Sequence, residues 1–523
     1  MKRIILLTVL FLNALCCVKA NNIQITNVTT VITGSVVQVQ FDLSWENSWR
    51  AASTNNWDGA WVFLKFKDND GTWKHLKFTT ANTVIPAGYT ATFPFNDSES
   101  GIGMMIHRSA NGFGNVNLVG VRAGITSYPG IYDIKAFAIE MVYIPQGSFW
   151  VGDGETGFNS FGYYMGFTPQ VSYQITGLGN TVTIGAVNGT LHDNIDFSAN
   201  TTLTGFPNGY AAHWMMKYEL SQDGWVQFLN CLTYLQQVVH TSTNPVTIGL
   251  TANVNHTGRV RVQTAGVNNT TPAVFGNDAD GDLVFNEAND GQWNAMGGLN
   301  WLDEAAWLDW AGLRPMTELE YEKACRGQFS PQNGEYAWGT NTIASYAYTI
   351  SNNFQNNSAI PNFSSTEGNA NTIVTSDTGV TFGSLRNGIF ANSLSTRVSS
   401  GAGYYGAMEL TGNIIETCVT TANAAGRSYT GRHGNGTLTD SGYANEDFWP
   451  GINGNNNPAT ANGVFGGVTG VTNTVGCIYR GSNFQNSLLN NLIVSQRSNS
   501  NVVTANAFGR AAGVGIRGVR DAN

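Results

Sequence analysis

The sequence comprises 523 residues, of which 42% are hydrophobic and only 12% are charged, and it contains 61 Gly, 14 Trp, 19 Tyr and 27 Phe. So many apolar and aromatic residues exclude a disordered chain, and so few charged residues exclude a long coiled coil. The 26 Lys and Arg against 35 Asp and Glu give a net charge of −9, which argues against a nucleic-acid-binding protein because such proteins neutralise phosphate with basic side chains.

The first twenty residues have the pattern of a secretory signal. Lys2 and Arg3 precede an apolar run over 4–12, and the small residues Val18 and Ala20 mark a cleavage site. The apolar run is too short to span a membrane, and no later stretch of about 18 apolar residues follows it. The sequence therefore predicts a bacterial protein that loses residues 1–20, has no transmembrane segment, and is secreted or displayed at the cell surface.

Cysteine usage agrees with export but predicts no metal cluster. Cys16 and Cys17 lie in the signal, where they allow a lipid anchor as the alternative to simple removal. Four cysteines remain in the mature chain: Cys231, Cys325, Cys418 and Cys477. Their wide spacing, with no C-x-x-C pair, argues against zinc. They are predicted to be buried free thiols, with one or two disulfides as the alternative.

Residues 21–137 are predicted to form an all-β, sandwich-like domain. Apolar and polar residues alternate from 37 to 43, which is the period-2 pattern of a half-buried strand. The nearly continuous apolar run 61–66 predicts a more deeply buried strand. The acidic segment 68–71 after it predicts a hairpin turn, with a calcium loop as the alternative.

Three helices are predicted in the remainder of the chain. The first spans 222–239, with Ser221 as its N-cap and Leu235 on its apolar face. The second spans 301–311, with Asn300 as its N-cap and Gly312 at its end.

The third predicted helix spans 318–325. Thr317 and Glu320 form a T-x-x-E capping box at its start. Glu322 and Lys323 are predicted to face solvent. The other segments after residue 140 are predicted to be loop or short strand, and connections of that length are unusual in a compact domain unless its fold tolerates them.

Seven sequence blocks occur in the same order as in one known family. They are MVYIPQGSF (141–149), MKYELS (216–221), NWLDEAAWLDWAGLRPMTELEYEKACRG (300–327), YAWG (336–339), YGAMELTGNIIE (405–416), YRGS (479–482) and GIRGVR (515–520). From about residue 139 to 523, the chain thus resembles the formylglycine-generating enzyme, or sulfatase-modifying factor, family. The resemblance implies a second domain over 138–523 with a variant of the C-type lectin fold, which has few helices and much ordered loop. The expected fold class is mainly β with few helices (α+β).

The resemblance also implies an oxidase reaction, and the sequence departs from the family at the residues that perform it. The family's enzymes convert a substrate cysteine to formylglycine with two thiols that follow the YRGS-like block. In this sequence Gln485 and Asn490 stand at those two positions. An amide cannot ionise or bind a soft metal as a thiolate does. We therefore expect a pseudoenzyme that binds no copper or iron.

An alternative function is a non-haem metal oxidoreductase on the same scaffold. A second branch of the superfamily holds iron with three histidines that include an H-x-x-x-H-x-E run. The seven histidines of this chain are His75, His107, His192, His213, His240, His256 and His433. No two lie within five residues of each other, so the sequence itself does not favour an iron triad.

Two segments are candidate calcium sites because they offer hard oxygen ligands. Asn413 and Glu416 match positions at which the family holds calcium; a purely structural turn is the alternative. The second segment reproduces the D-x-D-G-x₅-E half of an EF-type loop, with Gly276 where the first Asp would stand. Its candidate ligands are Asp278, Asp280, Asp282 and Glu287, and a solvated acidic turn is the alternative.

The C-terminal segment 483–508 carries many Asn, Ser and Gln between apolar residues. In lectin-like relatives the corresponding stretch forms a ligand-binding face. The contact candidates are Asn483, Phe484, Gln485, Asn486, Gln496 and Arg497, although the Asn residues are also suited to closing turns. The expected function is a calcium-stabilised binding or structural module for an unknown protein or glycan outside the cytoplasm. A self-assembling extracellular coat protein is a further alternative.

Overall fold

The computed structural model describes residues 22–93, 101–126, 133–154, 159–166, 171–193, 200–253, 259–373, 383–452, 471, 474–498 and 509–522. The predicted signal 1–20, with its cleavage site and its two cysteines, lies outside the described residues, and so does His256. Within the described ranges, no helix combines the length and apolar character that a membrane span requires. Strands account for 33% and helices for 12% of the chain, which confirms a mainly β protein with few helices.

Long strands form the first part of the chain, where the period-2 pattern predicted them. They are β1 (Gln24–Thr33), β2 (Val36–Ala51), β3 (Asn56–Lys67), β4 (Trp73–Leu76), β5 (Phe78–Val84), β6 (Tyr89–Thr92), β7 (Met104–Arg108), β8 (Gly112–Ile125) and β9 (Ile134–Ile144). The acidic segment 68–71 joins β3 to β4 in an antiparallel pair that begins at Lys67 and Trp73, so the hairpin prediction is confirmed.

Short strands and helices follow, separated by long connections. The strands are β10 (Phe149–Val151), β11 (Gly162–Tyr163), β12 (Tyr173–Ile175), β13 (Thr183–Ile184), β14 (Leu191–His192), β15 (Thr201–Thr202), β16 (His213–Met216), β17 (Val260–Thr264), β18 (Val274–Asn277), β19 (Arg314–Pro315), β20 (Ile415–Val419), β21 (Cys477–Arg480), β22 (Val514–Gly515) and β23 (Gly518–Asp521). The helices are α1 (Gln222–Leu229), α2 (Tyr234–His240), α3 (Trp301–Trp310), α4 (Glu318–Arg326), α5 (Arg397–Ser400) and α6 (Ala424–Arg427). Turns of 3-10 helix occur at Ala52–Thr54, Gly179–Thr181 and Leu489–Leu492.

One large sheet joins the two ends of the chain. Its main path runs β19-β23-β16-β9-β3-β2-β8-β5. Strand β9 lies at the junction, because Val142 pairs with Asp58 of β3 on one side and with Met215 of β16 on the other. The predicted boundary between residues 137 and 138 therefore falls inside one continuous strand.

The N-terminal strands also pack directly on the C-terminal helices. The indole Nε1 of Trp61 in β3 donates to the carbonyl of Ala311 at 2.8 Å, just beyond the end of α3. The ammonium of Lys65 donates to the carbonyl of Trp310 at 2.8 Å. Phe63 and Trp310 pack edge to face at 5.1 Å, so strand β3 and helix α3 belong to one hydrophobic core.

The predicted helix 222–239 is wrong, because the chain forms two helices there. Helix α1 begins at its predicted N-cap Ser221 but ends at Leu229. The side chain of Asn230 then bonds the backbone N–H and carbonyl of Phe275, at 2.8 and 2.9 Å, which turns the chain toward β18. Thr233 starts α2 with its own capping box, and Leu235 is 54% exposed rather than buried.

The other two helices begin where their caps predicted. The side chain of Asn300 accepts from Asp303 at the start of α3, and Thr317 and Glu320 form the predicted capping box of α4. However, the prediction that Glu322 and Lys323 face solvent is wrong. Both are buried, since Glu322 pairs with two arginines and Lys323 donates to the backbone carbonyls of residues 145 and 209 at 2.6 Å.

Candidate metal sites and the C-terminal face

The two positions at which the oxidase would need its thiols lie on the surface after β21. The chain turns at Ser482, which has a φ of 63°, and the N–H of Phe484 then donates to the carbonyl of Asn413 at 2.9 Å. This bond anchors the segment 483–498 to the G-N-x-x-E turn. We call this segment the C-terminal face; the rest of the predicted binding segment, 499–508, lies outside the described residues. Gln485 and Asn490 are both exposed on it.

The six predicted contact residues divide between the surface and the core. Phe484 and Arg497 are fully buried, so they support the C-terminal face from beneath instead of forming it. The side-chain oxygens of Asn483 and Asn486 accept from the N–H groups two residues further on, at 2.9 and 2.8 Å, and thereby close turns. Gln496 is 9% exposed, and its side chain donates to the Oδ1 of Asn491 at 3.1 Å.

A buried ion network lies beneath this face. Glu318, the first residue of α4, accepts from the guanidinium groups of Arg480 and Arg497, with the shortest contact at 2.7 Å. Arg497 also contacts Asp193, and Arg480 also bonds Glu322. All five side chains are buried. Burial alone would raise the pKa of Glu318, but the two arginines outweigh it and hold that pKa at about 2.

In the G-N-x-x-E turn, most of the oxygens predicted to bind calcium already accept hydrogen bonds from other protein groups. The Oδ1 of Asn413 accepts from Asn371 Nδ2 at 3.0 Å and from the N–H of Leu385 at 2.9 Å. Glu416 Oε1 accepts from Arg517 at 3.1 Å, whereas its Oε2 has no hydrogen-bond partner among the described residues. These contacts resemble those of a structural turn, and calcium binding there stays a prediction.

Sequence reasoning missed the carboxylate that supports this turn. Glu219 lies just before α1, and it accepts from Asn413 Nδ2 at 2.5 Å and from the N–H of Ile414 at 2.9 Å. Burial, together with repulsion from Glu416 and Glu409, raises the pKa of Glu219 well above its usual value. The only earlier indication was its place in the family-like block 216–221, since the sequence separation from Asn413 is almost 200 residues.

The acidic loop after β18 brings three of its four predicted ligands together. Asp278, Asp280 and Asp282 each offer an oxygen, and these oxygens lie within 4.8 Å of one another. Asp278 is fully buried, and its Oδ2 has no hydrogen-bond partner in the described part of the chain. The nearest cation to that oxygen is the guanidinium of Arg261, with Nε at 3.6 Å. The fourth predicted ligand, Glu287, is exposed and not in this cluster.

A second buried carboxylate, Asp290, follows the acidic loop, whereas Glu287 is exposed. Its Oδ2 accepts from the N–H of Glu287 at 2.7 Å, and its Oδ1 has no hydrogen-bond partner within the described ranges. Burial raises its pKa to about 6, and the charges of Asp280 and Asp278 add to the shift. Asp290 nevertheless lies outside the cluster of Asp278, Asp280 and Asp282. The three clustered carboxylates, one buried and two exposed, are a donor set that suits a hard cation such as Ca²⁺.

Cysteines 231, 325, 418 and 477 are buried and form no disulfide among the described residues, as predicted. Cys418 and Cys477 lie on paired strands, but Cys418 stands opposite Ile478, so the two thiols point to opposite faces of the sheet. Burial raises the pKa of Cys325 to about 12, and it raises the pKa values of Cys418 and Cys477 well above their ordinary value. Thiols in this state are protonated near neutral pH, whereas metal ligation and redox chemistry use the thiolate.

The six described histidines form no metal-binding group. Within the described ranges, the acidic loop is the only group of three or more His, Cys, Asp or Glu whose ligand atoms come within 4.8 Å of one another. His240 bonds Asp303 at 3.0 Å and the carbonyl of Gly442 at 2.7 Å, so both of its ring nitrogens are engaged in the core.

Comparison with protein families decides what this scaffold is. A model described as the sulfatase-modifying factor enzyme 1-like domain matches residues 208–522. The chain belongs to this family. The match contains the acidic loop, the G-N-x-x-E turn and the C-terminal face. It begins almost 70 residues after the position from which the sequence blocks predicted the domain.

Other comparisons add little to the family assignment. A search of curated proteins finds no match. Among solved structures, the chain is similar to Treponema denticola variable protein 1, with 12% sequence identity and a TM-score of 0.28; the alignment covers 74% of this chain and 96% of that one. A TM-score this low does not establish a shared fold.

Proposed function

We propose that this chain is an exported member of the sulfatase-modifying factor family that lacks formylglycine oxidase activity. It serves outside the cytoplasm as a calcium-stabilised binding or structural module, built on a variant of the C-type lectin fold. Its C-terminal face contacts a protein or glycan partner.

The observation that carries this proposal is the state of the two positions after β21. Gln485 and Asn490 stand there as exposed amides, and neither can provide a thiolate. The thiols in the described part of the chain are buried, and burial holds them in the protonated form. A copper centre of the family's kind therefore does not fit the residues present.

The acidic loop supports the calcium part of the proposal. Asp290 buries a carboxylate oxygen without a hydrogen-bond partner in the described part of the chain, and the buried Oδ2 of Asp278 faces Arg261 Nε at 3.6 Å without a hydrogen bond. Leaving a buried carboxylate oxygen unpaired is costly, and a divalent cation bound by several oxygens would remove that cost. Calcium is expected to stabilise the loop and not to take part in a reaction.

The oxidase prediction can be tested with a peptide that carries the C-x-P-x-R motif. The purified mature chain, incubated with copper and oxygen, is expected to leave the peptide cysteine unchanged. An active formylglycine-generating enzyme, assayed in parallel, shows that the conditions permit the reaction. Mass-spectrometric detection of formylglycine with this chain at rates above the no-protein control would overturn the proposed function.

A further inference from the structure

An open cleft lies between strand β1 and strands β4 and β9, outside the residues that the family model matches. Its volume of about 480 Å³ falls within the range that is usual for small-molecule sites, roughly 300–1,000 Å³. Each of its described lining residues is exposed or partly exposed, so a ligand in the cleft reaches their side chains directly. The lining residues that offer an aromatic ring, a charge or a hydroxyl are Thr29, Thr30, Trp73, Asp133 and Lys135.

Trp73 gives the cleft an aromatic wall. The side chain is only partly buried, and the ammonium of Lys135 lies 4.4 Å from the centre of its ring, close enough for a cation–π attraction. Lys135 also donates to the carbonyl of Asn230 at 3.3 Å, just after α1. These contacts hold the ring and the ammonium in place before a ligand arrives, which lowers the entropic cost of binding. The indole N–H of Trp73 bonds no other described residue, so it can donate to a ligand.

The charges of the cleft cancel. Asp133 is the only acid and Lys135 the only base among the described lining residues. An anion would be attracted by Lys135 and repelled by Asp133, and a cation would meet the reverse, so the lining favours a neutral ligand.

The uncharged groups of the cleft favour a ligand that is rich in hydroxyls. The hydroxyls of Thr29 and Thr30 both donate and accept hydrogen bonds, Asp133 accepts and Lys135 donates. A sugar offers hydroxyls that can pair with all of these groups. The apolar face of its ring fits against an aromatic ring such as that of Trp73.

We propose that this cleft binds one neutral sugar unit of a glycan chain. The sugar ring lies on the indole of Trp73, and its hydroxyls pair with Asp133, Lys135 and the two threonines. Because the cleft is open, it leaves room for the chain to continue beyond the bound unit. The site shares no residue with the acidic loop or the C-terminal face, so its failure would leave the proposed function untouched.

A calorimetric titration of the full mature chain tests this proposal. The neutral sugars are cellobiose, maltose, lactose and diacetylchitobiose, and the charged comparisons are glucuronate and glucosamine. At least one neutral sugar is expected to bind, and more tightly than either charged sugar. Binding of the charged sugars alone, or of nothing in the panel, would overturn the proposal.

Variants inside and outside the cleft locate the bound sugar. Trp73→Ala removes the aromatic wall and is expected to weaken binding about 10-fold or more. Trp150→Ala is the matched control, because Trp150 is also partly exposed but lies in β10, outside the cleft. Gln485→Ala tests the C-terminal face, and it is likewise expected to leave the affinity unchanged. Unchanged affinity in Trp73→Ala, or an equal loss in either of the other variants, would contradict this location.

Asp133→Asn tests the charge balance, and it also serves if Trp73→Ala does not fold. Asp133 is exposed, so its replacement is not expected to disturb folding. The variant leaves Lys135 without an opposing charge in the lining. The affinity for glucuronate, relative to that for the neutral sugar, is therefore expected to rise about 3- to 5-fold, the size of one exposed charge pair. An unchanged ratio would contradict selection of a neutral ligand by balanced charges.

Discussion

Replacing Glu318 with glutamine is expected to lower the free energy of unfolding by about 3–5 kcal/mol. The carboxylate of Glu318 accepts from Arg480 at 3.1 Å, from Arg497 at 2.7 and 2.9 Å, and from the hydroxyl of Thr420 and the N–H of Thr421 at 2.8 and 2.9 Å. Glutamine keeps the shape but removes the charge, which leaves two buried guanidinium groups undercompensated. The loss of one charged partner costs far more than an exposed ion pair would.

The same variant is expected to change how stability depends on pH. The pKa of Glu318 is about 2 in the folded chain, below its ordinary value of 4.5. A carboxyl with a lowered folded-state pKa contributes stability above the ordinary value and loses it as the pH falls through the folded-state value. The unmodified chain should therefore lose stability between about pH 4.5 and 2 more steeply than Glu318→Gln does.

Denaturant unfolding at pH 7, repeated at acidic pH, measures both effects. Asp440→Asn removes an exposed carboxylate and is the control, with an expected change within about 0.5 kcal/mol. If Glu318→Gln is too unstable to purify, the double variant Glu318→Met and Arg480→Met removes both charges of one pair, while Arg497 keeps Asp193 and Glu322 keeps Arg326, and it should be more stable than the single variant. A single variant within about 1 kcal/mol of the unmodified chain would contradict this account of the network.

Calcium at about 100 times its dissociation constant is expected to stabilise the chain by about 2.7 kcal/mol. The gain arises because the folded acidic loop presents Asp278, Asp280 and Asp282 within 4.8 Å, whereas the unfolded chain does not hold them together. Asp278→Asn removes the charge of the buried ligand, so it is expected to abolish most of the stabilisation. Unfolding in chelator and in calcium, monitored by circular dichroism, measures it.

Asp68→Asn is the matched control for the calcium experiment. It removes a charge from the other acidic turn, where Asp68 and Asp70 pair with Lys74. The calcium response is expected to survive in this variant. A response that is lost in Asp68→Asn but kept in Asp278→Asn would move the site to the β3–β4 hairpin. Equal stability with and without calcium would contradict the calcium proposal altogether.

Local signals in the sequence predicted local structure well. The alternation from 37 to 43 lies within β2, and the apolar run 61–66 lies within β3. The caps at Asn300 and Thr317 predicted the starts of α3 and α4, since a cap depends only on residues within one turn. The predicted helix 222–239 was wrong because its break depends on a tertiary contact, the pairing of Asn230 with the backbone of Phe275.

The environment of the charged residues could not be predicted from the sequence. Glu322 and Lys323 occupy helical positions that are usually solvated, yet Lys323 donates to the carbonyl of Gly209, more than a hundred residues away. Glu287 fits the D-x-D-G-x₅-E spacing, yet it is exposed and lies outside the cluster of Asp278, Asp280 and Asp282.

The metal content of the purified mature chain tests the central claim most directly. The claim is that the family scaffold is kept here, while amides at Gln485 and Asn490 replace the sulfur ligands of the oxidase. Elemental analysis after purification without chelators is expected to find calcium in stoichiometric amount, with copper and iron only in traces. Stoichiometric copper or iron that remains bound through dialysis would contradict the claim.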